Sequence, residues 1–286
     1  MGQYNNLPAQ TGVTIYKIFI AVFILFVFSG CSSAQVVEHK RPVVFLLPHQ
    51  DDEMVMAGSI YDHLQQGDDV YTVMVTDGGA SIMRTMINRV SRDCSMKPES
   101  GVCTSHDRLY FSQARNTEYY NAMKDLGVAE HNILFANDGG KDGTSKPFAR
   151  DAELTKEKAS HIITRLYAQL GDGEYNTVAA LPKECLYPHP DHIALRQALS
   201  EFKDISEKHF FSDKKDPAYE VQLSTSTLEA KAHALEEYYI CNPKFDRYAI
   251  GAHSVKDRLD KWRRSKVEYV IDEFVTTTTS TVTKEI

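Results

Sequence analysis

Residues 43–53 read Val43-Val44-Phe45-Leu46-Leu47-Pro48-His49-Gln50-Asp51-Asp52-Glu53. Five apolar residues in a row, with no polar alternation, predict a strand buried on both faces and hence a sheet with helices on either side. Proline ends the strand, and a histidine and three acids follow at its carboxyl end, where open α/β sheets bind ligands. Apolar residues at 54, 57, 60, 61 and 64 then keep helical spacing as far as Gly67, a residue suited to a helix C-cap. Val70–Val75 (VYTVMV) reads as a second strand, closed by the polar turn Thr76-Asp77-Gly78-Gly79. Strand, helix, strand at this spacing predicts parallel pairing through a crossover.

The alternation continues outward. Phe111–Leu126 reads as a helix stopped by Gly127, Ile133–Phe135 as a strand, Asp151–Leu170 as a long helix, Thr177–Leu181 as a fourth strand and His192–Phe202 as the helix after it. Tyr219–Leu223 suits a further strand and Leu228–Tyr239 a further helix. The expected fold class is α/β, a Rossmann-like three-layer α/β/α sandwich on a mostly parallel sheet. Residues 80–110 hold Arg, Ser, Met and two cysteines without periodicity, which marks an insertion over the site. The closing run at 276–286 (TTTTSTVTKEI) reads as a frayed tail or an edge strand.

In 286 residues, 42% hydrophobic and 25% charged residues lie near globular averages, which excludes wholesale disorder and a multi-span membrane protein. A net charge of −7 with scattered Lys and Arg excludes an electrostatic nucleic-acid footprint, so no nucleic-acid partner is expected. The N-terminus is a targeting segment. Ile18–Phe28 is an unbroken apolar run behind Lys17, with no acid upstream. Eleven residues are about half of the roughly 20 that span a bilayer, which favours a signal peptide over an anchor. Phe28-Ser29-Gly30-Cys31 resembles a bacterial lipobox. The expected organisation is therefore a signal peptide at 1–30, a lipid-modified Cys31 opening a tether at 31–41, and one domain at 42–286. An uncleaved anchor helix is the alternative, and both readings place the body outside the cytoplasm, in the cell envelope. There Cys94, Cys103, Cys185 and Cys241 can pair, Cys94 with Cys103 belonging to one of three open connectivities.

Two motifs carry chemistry. His49 and Asp52, three apart where a loop becomes a helix, can converge on one ion, leaving Asp51 as a carboxylate that need not ligate. His189-Pro190-Asp191-His192 again follows a strand and opens a helix. Together they supply a His/His/Asp set, the three-ligand type that keeps a position open for water. Two imidazoles favour Zn2+ or another divalent transition metal over magnesium or calcium. Taken singly, Asp51-Asp52 also reads as a helix N-cap and His-Pro-Asp-His as a solvated turn; their recurrence at two strand ends argues for a site. Thr76-Asp77-Gly78-Gly79 lacks the Lys-Ser/Thr of a phosphate-binding loop and reads as a turn, with Asp77 a candidate for the outer side of the site.

Pro48-His49-Gln50-Asp51-Asp52-Glu53 with His189-Pro190-Asp191-His192 resembles the paired signature of the LmbE-like, or PIG-L, zinc de-N-acetylases. Arg115-x-x-Glu118-x-x-x-Ala122-x-x-x-Leu126-Gly127 is similar to that family's intervening helix, so the resemblance spans roughly residues 43–200. It implies His49, Asp52 and His192 as metal ligands and Asp51 as general base. His189 would be the electrophilic or acid partner with Asp191 behind it, orienting it and raising its pKa, and Arg115 and Tyr187 would meet substrate. Gln50 departs from the family, where proline is commonest, and removes no ligand. The implied function is zinc-dependent removal of an acetyl group from an N-acetylated sugar or glycoconjugate, with membrane attachment through Cys31. A zinc amidase on a non-sugar amide and a glycan-binding lipoprotein without turnover are the competing readings. The Tyr238-Tyr239 pair is a candidate platform for sugar stacking.

Overall fold

The computed structural model describes residues 40–81, 83–84, 108–136, 150–179, 189–213, 219–242, 245 and 247–271. The signal peptide, Cys31, nearly all of the tether, most of 80–110, Cys94, Cys103, Cys185, Tyr187 and the closing run lie outside them.

Strand β1 (Pro42–Leu47) is buried along its whole length. Val43, Phe45 and Leu47 enter one hydrophobic core and Val44 and Leu46 the other, the double burial that an uninterrupted apolar run implies. A 3-10 turn (Asp52–Val55) precedes helix α1 (Ala57–Gln66), where one continuous helix from Glu53 is expected. Gly67 closes α1 at φ 77, with its N–H and that of Asp68 returning to Leu64 and His63. Strand β2 (Asp69–Met74) pairs with β1 in parallel. Then follow α2 (Arg108–Leu126), β3 (Ile133–Phe135), α3 (Lys156–Leu170), β4 (Glu174–Val178) and α4 (Pro190–Glu201).

Helix α3 starts five residues later than the sequence suggests, because the Thr155 side chain caps it by accepting from Lys158 N. Residues 151–154 are thereby left to bend elsewhere. Strand β4 likewise begins and ends three residues before the expected Thr177–Leu181.

The sheet continues through β5 (Glu207–Ser212) and β6 (Tyr219–Gln222). Helix α5 (Thr225–Leu235), the short pair β7 (Cys241–Asn242) and β8 (Arg247–Tyr248), α6 (Ile250–Arg263) and β9 (Val267–Ile271) complete the described fold. Strand order is β3-β2-β1-β4-β5-β9-β6. The first five are parallel, and β9 runs antiparallel to both β5 and β6. Residues of α1, α2, α5 and α6 pack into the core on one face, and those of α3 and α4 into the other, giving a three-layer α/β/α sandwich. The order reverses between β1 and β4, and such a switch point opens a crevice at the strands' carboxyl ends.

Candidate metal centre

Both motifs flank that crevice. Beyond β1, the Thr76 hydroxyl donates to Pro48 O at 2.7 Å and fixes the exit of the chain. The His49 N–H donates to Asp52 Oδ2 at 2.9 Å, closing a loop over residues 49–52. Within it Asp51 takes the left-handed conformation, φ 92 and ψ −12, which is uncommon for any residue but glycine. Beyond β4, His189 is the N-cap of α4 and its Nδ1 accepts from Asp191 N at 3.3 Å, with Pro190 at the first helical position.

Three donor atoms meet between the motifs. His49 Nδ1 lies 3.1 Å from His192 Nε2 and 3.3 Å from Asp52 Oδ2, and His192 Nε2 lies 3.1 Å from Asp52 Oδ2. An ion with bonds of about 2.0–2.1 Å in tetrahedral geometry separates its donors by about 3.3–3.4 Å, so this triangle fits one face of such a site. Two facing imidazole nitrogens also need a proton or a cation between them. His49 Nε2 points outward to Asp191 Oδ2 at 3.1 Å and Asp151 Oδ1 at 3.4 Å. A carboxylate on the far nitrogen fixes the tautomer that leaves the inner lone pair for a metal.

Electrostatics agree. Burial opposes a charged His49, yet bonds to Asp151, Asp191 and Asp52 hold its pKa well above the ordinary value. Burial likewise pushes the Asp52 carboxyl up, and His192 and His49 together hold it well below the usual range. The pocket is built to contain positive charge.

Other expected residues stand differently. Asp191 was expected behind His189, but its oxygens accept from Ala152 N and Leu154 N at 2.8 and 3.0 Å and serve His49, with His189 Nδ1 at 3.7 Å. The carboxylate nearer His189 belongs to Asp151, whose Oδ1 lies 3.5 Å from His189 Nε2. No sequence pattern marks Asp151; only the late start of α3 bends residues 151–154 into the crevice. Asp77 holds it there, accepting from Asp151 N at 2.8 Å and from Arg108 Nε and Nη2 at 3.0 and 3.1 Å. Instead of being raised, the His189 pKa is lowered, by burial first and then by the charge of His49, over the opposing pull of Asp191 and Asp151.

Arg115, expected to meet substrate, is buried at 4% exposure. Its guanidinium donates to Gln50 O at 2.5 Å, Gly78 O at 2.9 Å and Asp51 Oδ2 at 3.1 Å. Burial raises the Asp51 pKa, and the Arg115 charge opposes the rise. Gln50 fills the space beside Gly78, where a Cβ would sit 1.9 Å from Gln50 Oε1 at φ +59, and its Nε2 donates to Asn116 Oδ1 at 2.5 Å. Tyr238 is fully buried and donates its hydroxyl to Glu53, so it is no stacking platform.

The family model described as PIG-L, GlcNAc-PI de-N-acetylase, matches residues 44–203. No curated protein sequence matches the chain. Among solved structures, the zinc-inhibited form of teicoplanin deacetylase Orf2 is similar over 80% of this chain and 96% of its own, with 16% identity and a TM-score of 0.52. A triple-mutant deacetylase of the teicoplanin biosynthetic pathway is similar over 81% and 96%, with 17% identity and a TM-score of 0.52. At these identities the likeness is one of fold.

Proposed function

The chain belongs to the PIG-L family of de-N-acetylases, matched over more than half its length, and on that premise we propose that it is a zinc-dependent hydrolase releasing acetate from an N-acetylated sugar or glycoconjugate. The observation that carries this is the donor triangle of His49, Asp52 and His192 beside an unligated Asp51 gripped by Arg115. The family's GlcNAc-containing substrate supports the sugar class.

A zinc-class ion held by His49, Asp52 and His192 would polarise the acetyl carbonyl and lower the pKa of water towards about 7. Asp51 accepts the proton of the attacking water, and its elevated pKa lets it hold that proton. Arg115 fixes where the receiving oxygen lies. His189 is the most exposed member of the group, its side chain 38% accessible. With Nδ1 occupied by the Asp191 N–H, it is a neutral ring offering Nε2–H, and a donor of this kind aimed at a developing oxyanion is worth about 3 kcal/mol. Asp51 then returns its proton to the departing nitrogen, giving acetate and a free amine.

The decisive experiment measures acetate released from a panel of N-acetylglucosamine compounds by the zinc-loaded full-length chain and its Asp51→Asn variant. The variant is expected to keep its metal and lose about 10²–10⁴-fold in rate. Bound zinc with no acetate from any compound would overturn the sugar deacetylase and favour the non-sugar amidase or the binding lipoprotein.

The proposal extends to location. The apolar run Ile18–Phe28 and Ser29-Gly30-Cys31 support a lipidated Cys31 that tethers a domain spanning 42–286 in the cell envelope. Labelled palmitate should enter the wild-type chain in bacterial cells and not Cys31→Ala; equal labelling would remove this anchor.

A further inference from the structure

At the opposite, amino-terminal end of the sheet, Glu174 and Glu207 open β4 and β5 as register partners, with Asn176 and His209 the next pair on the same face. Two glutamates side by side repel unless a cation lies between them. One donor atom from each of Glu174, Glu207 and His209 lies within 4.8 Å of the others. His209 Nε2 is 3.3 Å from Glu207 Oε1 and 3.9 Å from Glu174 Oε1.

We propose that Glu174, Glu207 and His209 form a second site for a divalent transition-metal ion of the zinc class, separate from the crevice at the carboxyl ends of the strands.

Several independent features fit a ligand here. His209 Nδ1 pairs with the Tyr219 hydroxyl at 3.0 Å, so an Nδ1–H tautomer leaves the Nε2 lone pair for the ion. Asn176 Nδ2 donates to Glu174 Oε1 at 3.0 Å and orients that carboxylate. The Asn176 side chain is fully buried, and its Oδ1 has no hydrogen-bond partner. An unsatisfied acceptor beside a carboxylate ligand suits a water on the ion, because leaving it bare is costly.

Access is open. A cavity of about 230 Å³ adjoins the group, lined by Glu174 and His209 together with His63, Asp62, Phe211 and Tyr219. Two cations already border the acids: His63 Nε2 lies 3.4 Å from Glu174 Oε1 and Arg41 Nη1 lies 3.5 Å from Glu207 Oε2. The Glu207 side chain is 44% exposed, which leaves it room to swing onto an ion with bonds of about 2 Å. One imidazole with two carboxylates favours zinc or manganese over copper(I) and over a hard, all-oxygen ion.

The test is the zinc retained by the purified full-length chain through gel filtration, compared with His209→Ala. Wild type is expected to hold one more equivalent per chain, with acetate release the same in both. The count is a difference, so it stands whether or not the crevice takes metal. Anomalous scattering at the zinc edge should place the extra ion among Glu174, Glu207 and His209. Equal zinc in two folded proteins, or an extra ion located elsewhere, would overturn the proposal. If His209→Ala fails to fold, Glu207→Gln at the exposed rim gives the same reading.

Discussion

Asp51 holds φ 92, and a left-handed backbone costs a non-glycine residue on the order of 1 kcal/mol. It persists because its side chain meets Arg115 and its N–H donates to Glu53 Oε2 at 3.2 Å. A lysine at 115 has one compact head and cannot reach Gln50 O, Gly78 O and Asp51 together. Arg115→Lys should therefore lower kcat for acetate release by about 10–10²-fold at unchanged zinc content. The sign of the pH effect follows from the charges: Arg115 opposes the rise that burial imposes on Asp51, so a poorer grip lets that pKa climb and moves the acid limb of the rate profile to higher pH. A raised KM with a stationary acid limb would restore Arg115 to substrate binding. The two motifs were legible because histidine and aspartate recur together at two strand ends, where either motif alone would read as a cap or a turn. Asp151 was not, since a lone acid before a helix carries no partner in sequence; its meaning comes from the bend that sets it between His49 and His189.

Helix α6 shows why some elements escape the sequence. Its N-cap, Ala249, has φ 51 and no side-chain oxygen, and Val255 breaks the helical geometry midway, so neither start signal nor period is present. The cap comes from another helix. Glu118 of α2 accepts from Ile250 N at 2.7 Å and Gly251 N at 3.1 Å. Glu118→Ala should cost about 2–4 kcal/mol in denaturant unfolding, because two buried N–H groups lose their acceptor. Burial pushes the Glu118 pKa up to about 8, against those two bonds and the charges of Arg115 and Arg247. An unfolded glutamate titrates near about 4.3, so between there and about 8 the folded state binds more protons and stability falls as pH rises. Glu118→Gln cannot titrate. Its stability should decline less than wild type between pH 5 and 8, and parallel declines would show that Glu118 stays ionised. Strand β5 was missed for a related reason: Glu207, Lys208 and His209 make its first half polar, and that half belongs to the proposed second site.

Across the whole molecule, the family match ends at residue 203, while β5, β9 and β6, three of the seven strands of the main sheet, come from the chain beyond it. Of the parallel strands, β1, β2 and β3 were legible because their buried residues are written as apolar runs. Beyond residue 203, β6 and α5 were legible, as Tyr219–Leu223 and Leu228–Tyr239, but β9 was not, because it reads Val-Glu-Tyr-Val-Ile and one of its two buried positions is Glu268. That glutamate joins the two parts. It accepts from Gly58 N, Ser59 N and Ser59 Oγ at 2.8, 2.9 and 2.7 Å, in the first turn of α1, and from Lys231 Nζ of α5 at 2.7 Å. Both charged side chains are fully buried. An anion at a helix N-terminus is favourable, and here it anchors the helix that follows the loop of His49 and Asp52. Lys231→Met leaves that anion without its counter-charge and should destabilise by about 3–5 kcal/mol. Adding Glu268→Gln should recover about 0.5–3 kcal/mol of this as coupling between the pair. Because α1 begins two residues after Asp52's 3-10 turn, Lys231→Met should also weaken zinc binding at His49, Asp52 and His192, measured by titration below the unfolding transition. Lost stability with unchanged zinc affinity would confine the chain beyond 203 to scaffolding; loss of both would make it part of what holds the loop of His49 and Asp52 in place.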